Sequence, residues 1–311
     1  MGISIGKVIQ YCRNSKNMTQ KELAADQLSV RYISKIEKGE ANLTVDILSY
    51  ISKKLATNLF TMYGKMNEYE TIETYSACQM INDAIGRHSI DDIECFCHRY
   101  ENDKRFQQGI EKTVLGYARA LMLSNHHEYE AAVSAAEAAC SKPFNCDEGG
   151  LFRSETIFST EYALALSHAV NLCRINESER GIEELLELYK AAMKRVDSGL
   201  AEVEGDEDFY INILCSCLYN IYVFSDKVVV EEIDNLLDTQ KKKGKMHMVC
   251  ELLLCKSAYL MVDNKVKEAL KVYSSAKAIG LLFYPEKFYI QRAMTTVNIK
   301  SDYSLFEKET S

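Results

Sequence analysis

From residue 66 to residue 311, apolar side chains recur at helical spacing in one segment after another, with no alternating run to suggest a strand. A chain patterned in this way can bury those residues only by packing helix on helix. The spacing predicts helices over 69–86, 89–103, 106–125, 128–141, 152–175, 177–196, 207–224, 227–243, 246–262, 265–279 and 285–299, which makes five pairs and a terminal helix. Two prolines in the whole chain leave few positions where such helices would have to break. The longest irregular stretches, 142–150 and 197–206, carry glycine and acidic residues and read as surface loops. The predicted class is therefore all-α.

The sharpest local pattern lies upstream, in residues 19–39, TQKELAADQLSVRYISKIEKG. Thr19 and Glu22 have the spacing of a capping box, in which each side chain accepts from the other residue's amide, so a helix starts at Gln20. Leu23 and Ala24 face inward, the pattern breaks at 26–28, and Ser29 offers a second N-cap oxygen for a helix that runs to about Lys38. Gly39 suits the stop. In that second helix Ile33 and Ile36 must face partner helices, which leaves Val30, Arg31, Ser34 and Lys35 on the opposite side. Arg31 and Lys35 stand one turn apart and can both donate to guanine edges in a major groove. An amphipathic surface helix with a basic i,i+4 pair would show the same face, so the order of features has to decide. The flanking residues complete a five-helix unit. Ile5, Val8, Ile9 and Cys12 mark a first helix; Ile47, Leu48, Ile51 and Leu55 mark a fourth, with Thr44 as its cap; Leu59, Phe60 and Met62 mark a short fifth.

In register, Thr19, Gln20, Leu23, Ala24, Ser29, Ile33, Ser34, Ile36, Glu37 and Gly39 match T-Q-x-x-L-A followed by S-x-x-x-I-S-x-I-E-x-G, and the segment resembles the Xre/Cro-type helix-turn-helix. The resemblance implies that Gln20 binds a phosphate, that Val30, Arg31 and Lys35 face bases, and that Glu37 is structural. The full DNA-contacting set is then Gln20, Ser29, Val30, Arg31, Tyr32, Ser34 and Lys35. Charge supports a division at residue 65. Residues 1–65 hold ten Lys/Arg and five Asp/Glu, a balance of +5, whereas the remaining 27 basic and 40 acidic residues give −13. A basic head on an acidic body is the expected distribution when only the head meets phosphate.

In the body, Ala120, Ala132, Ala139 and Pro143 carry the offsets that a tetratricopeptide repeat uses where its two helices cross, and Gly116 adds a close-approach site. Ala258, Ala269 and Ala276 repeat much of that spacing. Any helical hairpin with alanines at its crossing would look similar. Together, the head and about five degenerate helical pairs resemble the peptide-pheromone-responsive regulators of the PlcR and Rgg type. The resemblance implies a right-handed tetratricopeptide-like superhelix over 66–311. It also implies a homodimer on a two-fold-related promoter site and a short linear signalling peptide in the concave groove. Extended peptides need side-chain amides or guanidinium groups for their backbone and aromatic walls for their side chains. The groove residues read this way are Tyr117, Arg119, Tyr162, Asn171 and Asn220. Mid-helix asparagine calls for a reason, and both a groove contact and satisfaction by a neighbouring helix would supply one. Two alternatives remain: a body that grips a partner protein, and a scaffold whose head no longer reads DNA.

Enzyme motifs are absent from the sequence. His126-His127-Glu128 is not H-E-x-x-H, Cys95-x-Cys97 and Cys215-x-Cys217 lack the spacing that converges on zinc, and there is no phosphate loop or nucleophile elbow. No catalytic residue, metal or cofactor is expected, and the lone His168 reads as a satisfied interior imidazole. Of the eleven cysteines most fall at helical apolar positions, and they read as reduced core residues. With no apolar run near 18 residues and no export signal, a cytoplasmic protein without a membrane span is expected.

Overall fold

Each of the first five helices begins at a side-chain cap. Ser4 accepts from the Lys7 amide at the start of α1 (Ile5–Ser15). The reciprocal Thr19/Glu22 box opens α2 (Gln20–Ala24). Ser29 accepts from Tyr32 N at α3 (Val30–Lys38), Thr44 from Ile47 N at α4 (Val45–Lys54), and Asn58 from two amides at α5 (Leu59–Met66). Such caps stabilise helices this short by about 1 kcal/mol each. Gly39 ends α3 in the left-handed region, φ 75°. The computed structural model describes residues 3–25, 27–144, 150–153, 159–204 and 206–306 and is all-helical, with no strand among them.

The chain folds as two compact units, Met1–Asn125 and His126–Ser311. In the first, α1, α3 and α5 enclose Val8, Ile9, Ile33, Ile51, Leu55 and Leu59, all fully buried. That core does not close at residue 65. It continues through Met66, Tyr69 and Tyr75 into α6 (Ile72–Gly86), α7 (Ile90–Tyr100) and α8 (Gly109–Asn125), as one apolar cluster from Ile3 to Ala118. The end of α5 is apolar and needs cover, and α6 supplies it.

The second unit is built from α9 (Tyr129–Ala139), α10 (Ser159–Arg174), α11 (Ser178–Asp197), α12 (Leu200–Glu204), α13 (Glu207–Phe224), α14 (Val230–Lys243), α15 (Val249–Val262), α16 (Val266–Phe283) and α17 (Glu286–Val297). The pair α15/α16 packs most extensively, followed equally by α10/α11 and α11/α13, and α13 also lies against α10. Small residues stand where helices touch. Ala258, Ala269 and Ala276 are fully buried. A Cβ on Gly181 would lie 2.7 Å from the Ala169 carbonyl oxygen, so α10 and α11 approach at backbone distance.

Two expectations are corrected. The stretch 197–206, read as a loop, contains α12, which follows Gly199 (φ 75°) and buries Ala201. The helix expected to end at Ile279 runs to Phe283, because Gly280 stays helical and gives room to the Tyr289 ring of α17. Residues 145–149 of the loop expected at 142–150 and 154–158 of the helix expected from 152 lie outside the described residues. Among the described residues no helix is long and apolar enough to cross a membrane.

Candidate DNA interface and peptide face

The head is locked by a buried charge. Glu37 of α3 is 3% exposed and accepts from Arg13 Nε at 2.6 Å, Arg13 Nη2 at 3.0 Å and Gln20 Nε2 at 2.8 Å, while Arg13 Nη1 donates to the Met18 carbonyl at 2.7 Å. A carboxylate can be buried only when its lone pairs are met, and this one is met from α1 and α2 together. The contact fixes α3 against both helices. At the same crossing a Cβ on Gly6 would lie 2.1 Å from the Ile36 carbonyl oxygen, so α1 and α3 touch backbone to backbone. Sequence reading had assigned Glu37 a structural role but had not found Arg13 or Gly6. The only sequence signal for them was a charge and a glycine at inward-facing helical positions.

With Ile33 and Ile36 buried, α3 presents Val30 at 43% exposure beside exposed Arg31 and Lys35, with Ser34 half-buried between them. Among the described residues neither Arg31 nor Lys35 has an ion-pair partner. A rigid helix thus offers two unpaired cations and a small apolar contact on one face, the donor set that guanine edges and a thymine methyl accept. Exposed Lys21 and Lys38 extend the positive charge to either side. The remaining predicted contacts are placed differently. Ser29 caps its own helix, Tyr32 is half-buried and donates its hydroxyl proton to the Asn42 carbonyl at 2.9 Å, and the Gln20 amide nitrogen is held by Glu37.

The predicted groove residues also divide. Arg119 is exposed and Tyr117 half-buried, with desolvation pushing the Tyr117 phenol up to about 12. In the second unit Tyr162 is 2% exposed and lies edge-on to Tyr210, and Asn171 is 1% exposed with its amide donating to the Ser167 carbonyl at 2.8 Å. Both were expected on a groove wall and are interior. The interior asparagine is tolerated because its own helix satisfies the amide, a contact that residue spacing cannot reveal. Asn220 is half-buried and also donates back, to Ser216. On the exposed side of α13 it continues a polar stripe through Ser216 to exposed Asn212, a residue the sequence reading passed over.

His168 is fully buried, stacked on Phe144 at 4.3 Å, with Nδ1 2.7 Å from Glu184 and Nε2 3.3 Å from Glu137. The interior reading of this histidine fits that geometry. Of the ten cysteines described, all are free and only Cys95 is exposed. Among the described residues no group of three His, Cys, Asp or Glu side chains could hold a metal ion.

Residues 9–60 match the family model described as Helix-turn-helix, HTH_3. The head is a helix-turn-helix domain. Over almost the whole chain the fold is similar to that of Bacillus thuringiensis PlcR, solved in complex with the peptide PapR7 and DNA. The identity is 15% and the TM-score 0.55, with 94% of this chain and 99% of that one covered. It is also similar to the SHP pheromone receptor Rgg2 of Streptococcus dysgalactiae, at 13% identity and TM-score 0.50 over 95% and 99% of the two chains. The family model is thus that of a helix-turn-helix, and the two structures are a protein bound to a peptide and DNA and a pheromone receptor.

Proposed function

We propose that this protein is a sequence-specific DNA-binding transcription regulator whose activity is set by a short linear signalling peptide held by its C-terminal helical repeats. The observation that carries the reading is the α3 face: Val30, Arg31 and Lys35 are exposed together on a helix immobilised by the buried Glu37 contacts. A surface helix with no partner has no need of so costly a mount. The division of labour runs from the DNA reader in residues 1–65 to peptide sensing and dimerisation in 66–311. Likeness of fold to a protein solved with both a peptide and DNA supports it. For the peptide face, Asn212 and Asn220 of the second unit offer the accessible donors, whereas Tyr162 and Asn171 support that unit from inside; Tyr117 and Arg119 belong to the first unit. Operation on a two-fold-related site requires two copies of α3 and hence a homodimer, acting in the cytoplasm where promoter DNA is found.

A second reading, in which the body grips a partner protein, draws on the apolar tip of α16 and α17, where Leu282, Phe283 and Phe288 are 79%, 62% and 65% exposed. Calorimetry with synthetic peptides from small reading frames beside the gene separates the two. Saturable binding that weakens in Asn220→Ala supports the peptide sensor, and absence of binding across that set favours the protein-gripping body.

A further inference from the structure

Glu111, on α8, is 3% exposed, and its Oε1 accepts from the Glu70 backbone N–H at 2.7 Å and from the Thr74 hydroxyl at 2.7 Å. Thr71 and Thr74 close a capping box at the first turn of α6, so the carboxylate lies against a helix N-terminus, where oriented N–H groups favour negative charge. Among the described residues no cation pairs with it; the helix end and the two donors take that place. The start of α8 is shaped around the same group, since a Cβ on Gly109 (φ 64°) would lie 3.2 Å from Glu111 Oε2. On the far side of that turn, Tyr75 stands edge-on to Tyr11 of α1 at 5.7 Å and to Tyr69 at 5.1 Å, and its hydroxyl donates to Met62 Sδ of α5 at 3.5 Å. Contacts therefore run without a gap from α8, through the first turn of α6, to the helix whose Arg13 holds Glu37 of α3.

We propose that Glu111 is a positioning residue of the DNA reader: it clasps the first turn of α6 to α8 and so fixes the direction in which α3 is presented. The inference rests on the dimeric DNA-reading function proposed above. Two copies of α3 must meet half-sites about 34–36 Å apart, and that fit needs each head held stiffly, whereas the base contacts of one head do not. Loosening the clasp should leave half-site recognition intact and blur the spacing.

The test uses the full chain as wild type, Glu111→Ala and Glu111→Gln, with an operator selected by the wild type from a random-sequence pool. Each is titrated on one half-site, on two half-sites at the selected spacing, and on the pair moved apart by one and two base pairs. Glu111→Ala should match wild type on the single half-site, lose about tenfold on the paired sites and lose most of its spacing preference, while its Glu70 amide exchanges about tenfold faster. Glu111→Gln, which keeps an acceptor oxygen, should recover most of the loss. If Glu111→Ala does not fold, Thr74→Val, which removes one donor, is titrated in its place with the same expectation. Parallel losses on single and paired sites, or an unchanged spacing preference, overturn the proposal. A wild type that shows no preference for paired half-sites overturns the dimeric reading itself, and the clasp with it.

Discussion

At the scale of single residues, two kinds of charge in the head have opposite jobs. Arg31 and Lys35 are exposed and without an ion-pair partner among the described residues, so truncating either to Ala should leave stability within about 0.5 kcal/mol. Each should weaken operator binding by about 1–3 kcal/mol with relaxed base preference, measured by anisotropy at fixed salt. Glu37 is buried, and Arg13, half-buried, is paired with it. Glu37→Ala strands the Arg13 guanidinium and the Gln20 amide, and should cost about 3–5 kcal/mol in denaturant unfolding of the first unit. Unchanged unfolding would show that the contact does not hold α3. The cysteines give an independent check of the core. Desolvation pushes the thiols of Cys78 and Cys215 up to about 12, and those of Cys97, Cys173 and Cys250 up to about 11. A raised thiol pKa leaves the unreactive protonated form at pH 8, so native alkylation read by mass spectrometry should mark exposed Cys95 well before these five.

At the scale of helices, close approach is set by glycine. Gly6→Ala would drive a methyl group into the Ile36 carbonyl, which is backbone and cannot rotate away. It should destabilise the head by about 1–3 kcal/mol or more and weaken DNA binding with it. Thermal unfolding and titration check the two effects together. Elements of this kind show which features a sequence discloses. The caps at Thr19, Ser29 and Thr44 were legible because each places one oxygen at a fixed offset from an apolar period. The outward face of α3 was legible because Ile33 and Ile36 fix its phase. The true end of α16 was not legible because Gly280 stays helical and gives room to Tyr289, and α12 was hidden in an acidic stretch too short to show a period. Asn171 misled for a third reason: whether an amide is satisfied inside its own helix depends on rotamer and burial, which spacing does not encode.

At the scale of the whole molecule, charge and core divide the chain at different places. The positive balance ends near residue 65, whereas the core of the first unit runs on to Ala118. The DNA-reading surface is thus mounted on helices that belong by charge to the body, and α6 to α8 should unfold with the head as one cooperative transition. Binding to DNA should fall steeply with salt, and each phosphate-contacting Lys changed to Ala should reduce the slope of log K against log salt by about one. The central claim, that α3 reads DNA sequence, is tested most directly by titrating the operator selected from a random-sequence pool with wild type and with the Arg31→Ala/Lys35→Ala double variant, at one salt concentration. The account predicts that wild type enriches a two-fold-related motif and prefers it to scrambled DNA by about a thousandfold, and that the double variant folds normally and loses most of that preference. No enriched motif, or equal discrimination by both proteins, would contradict it.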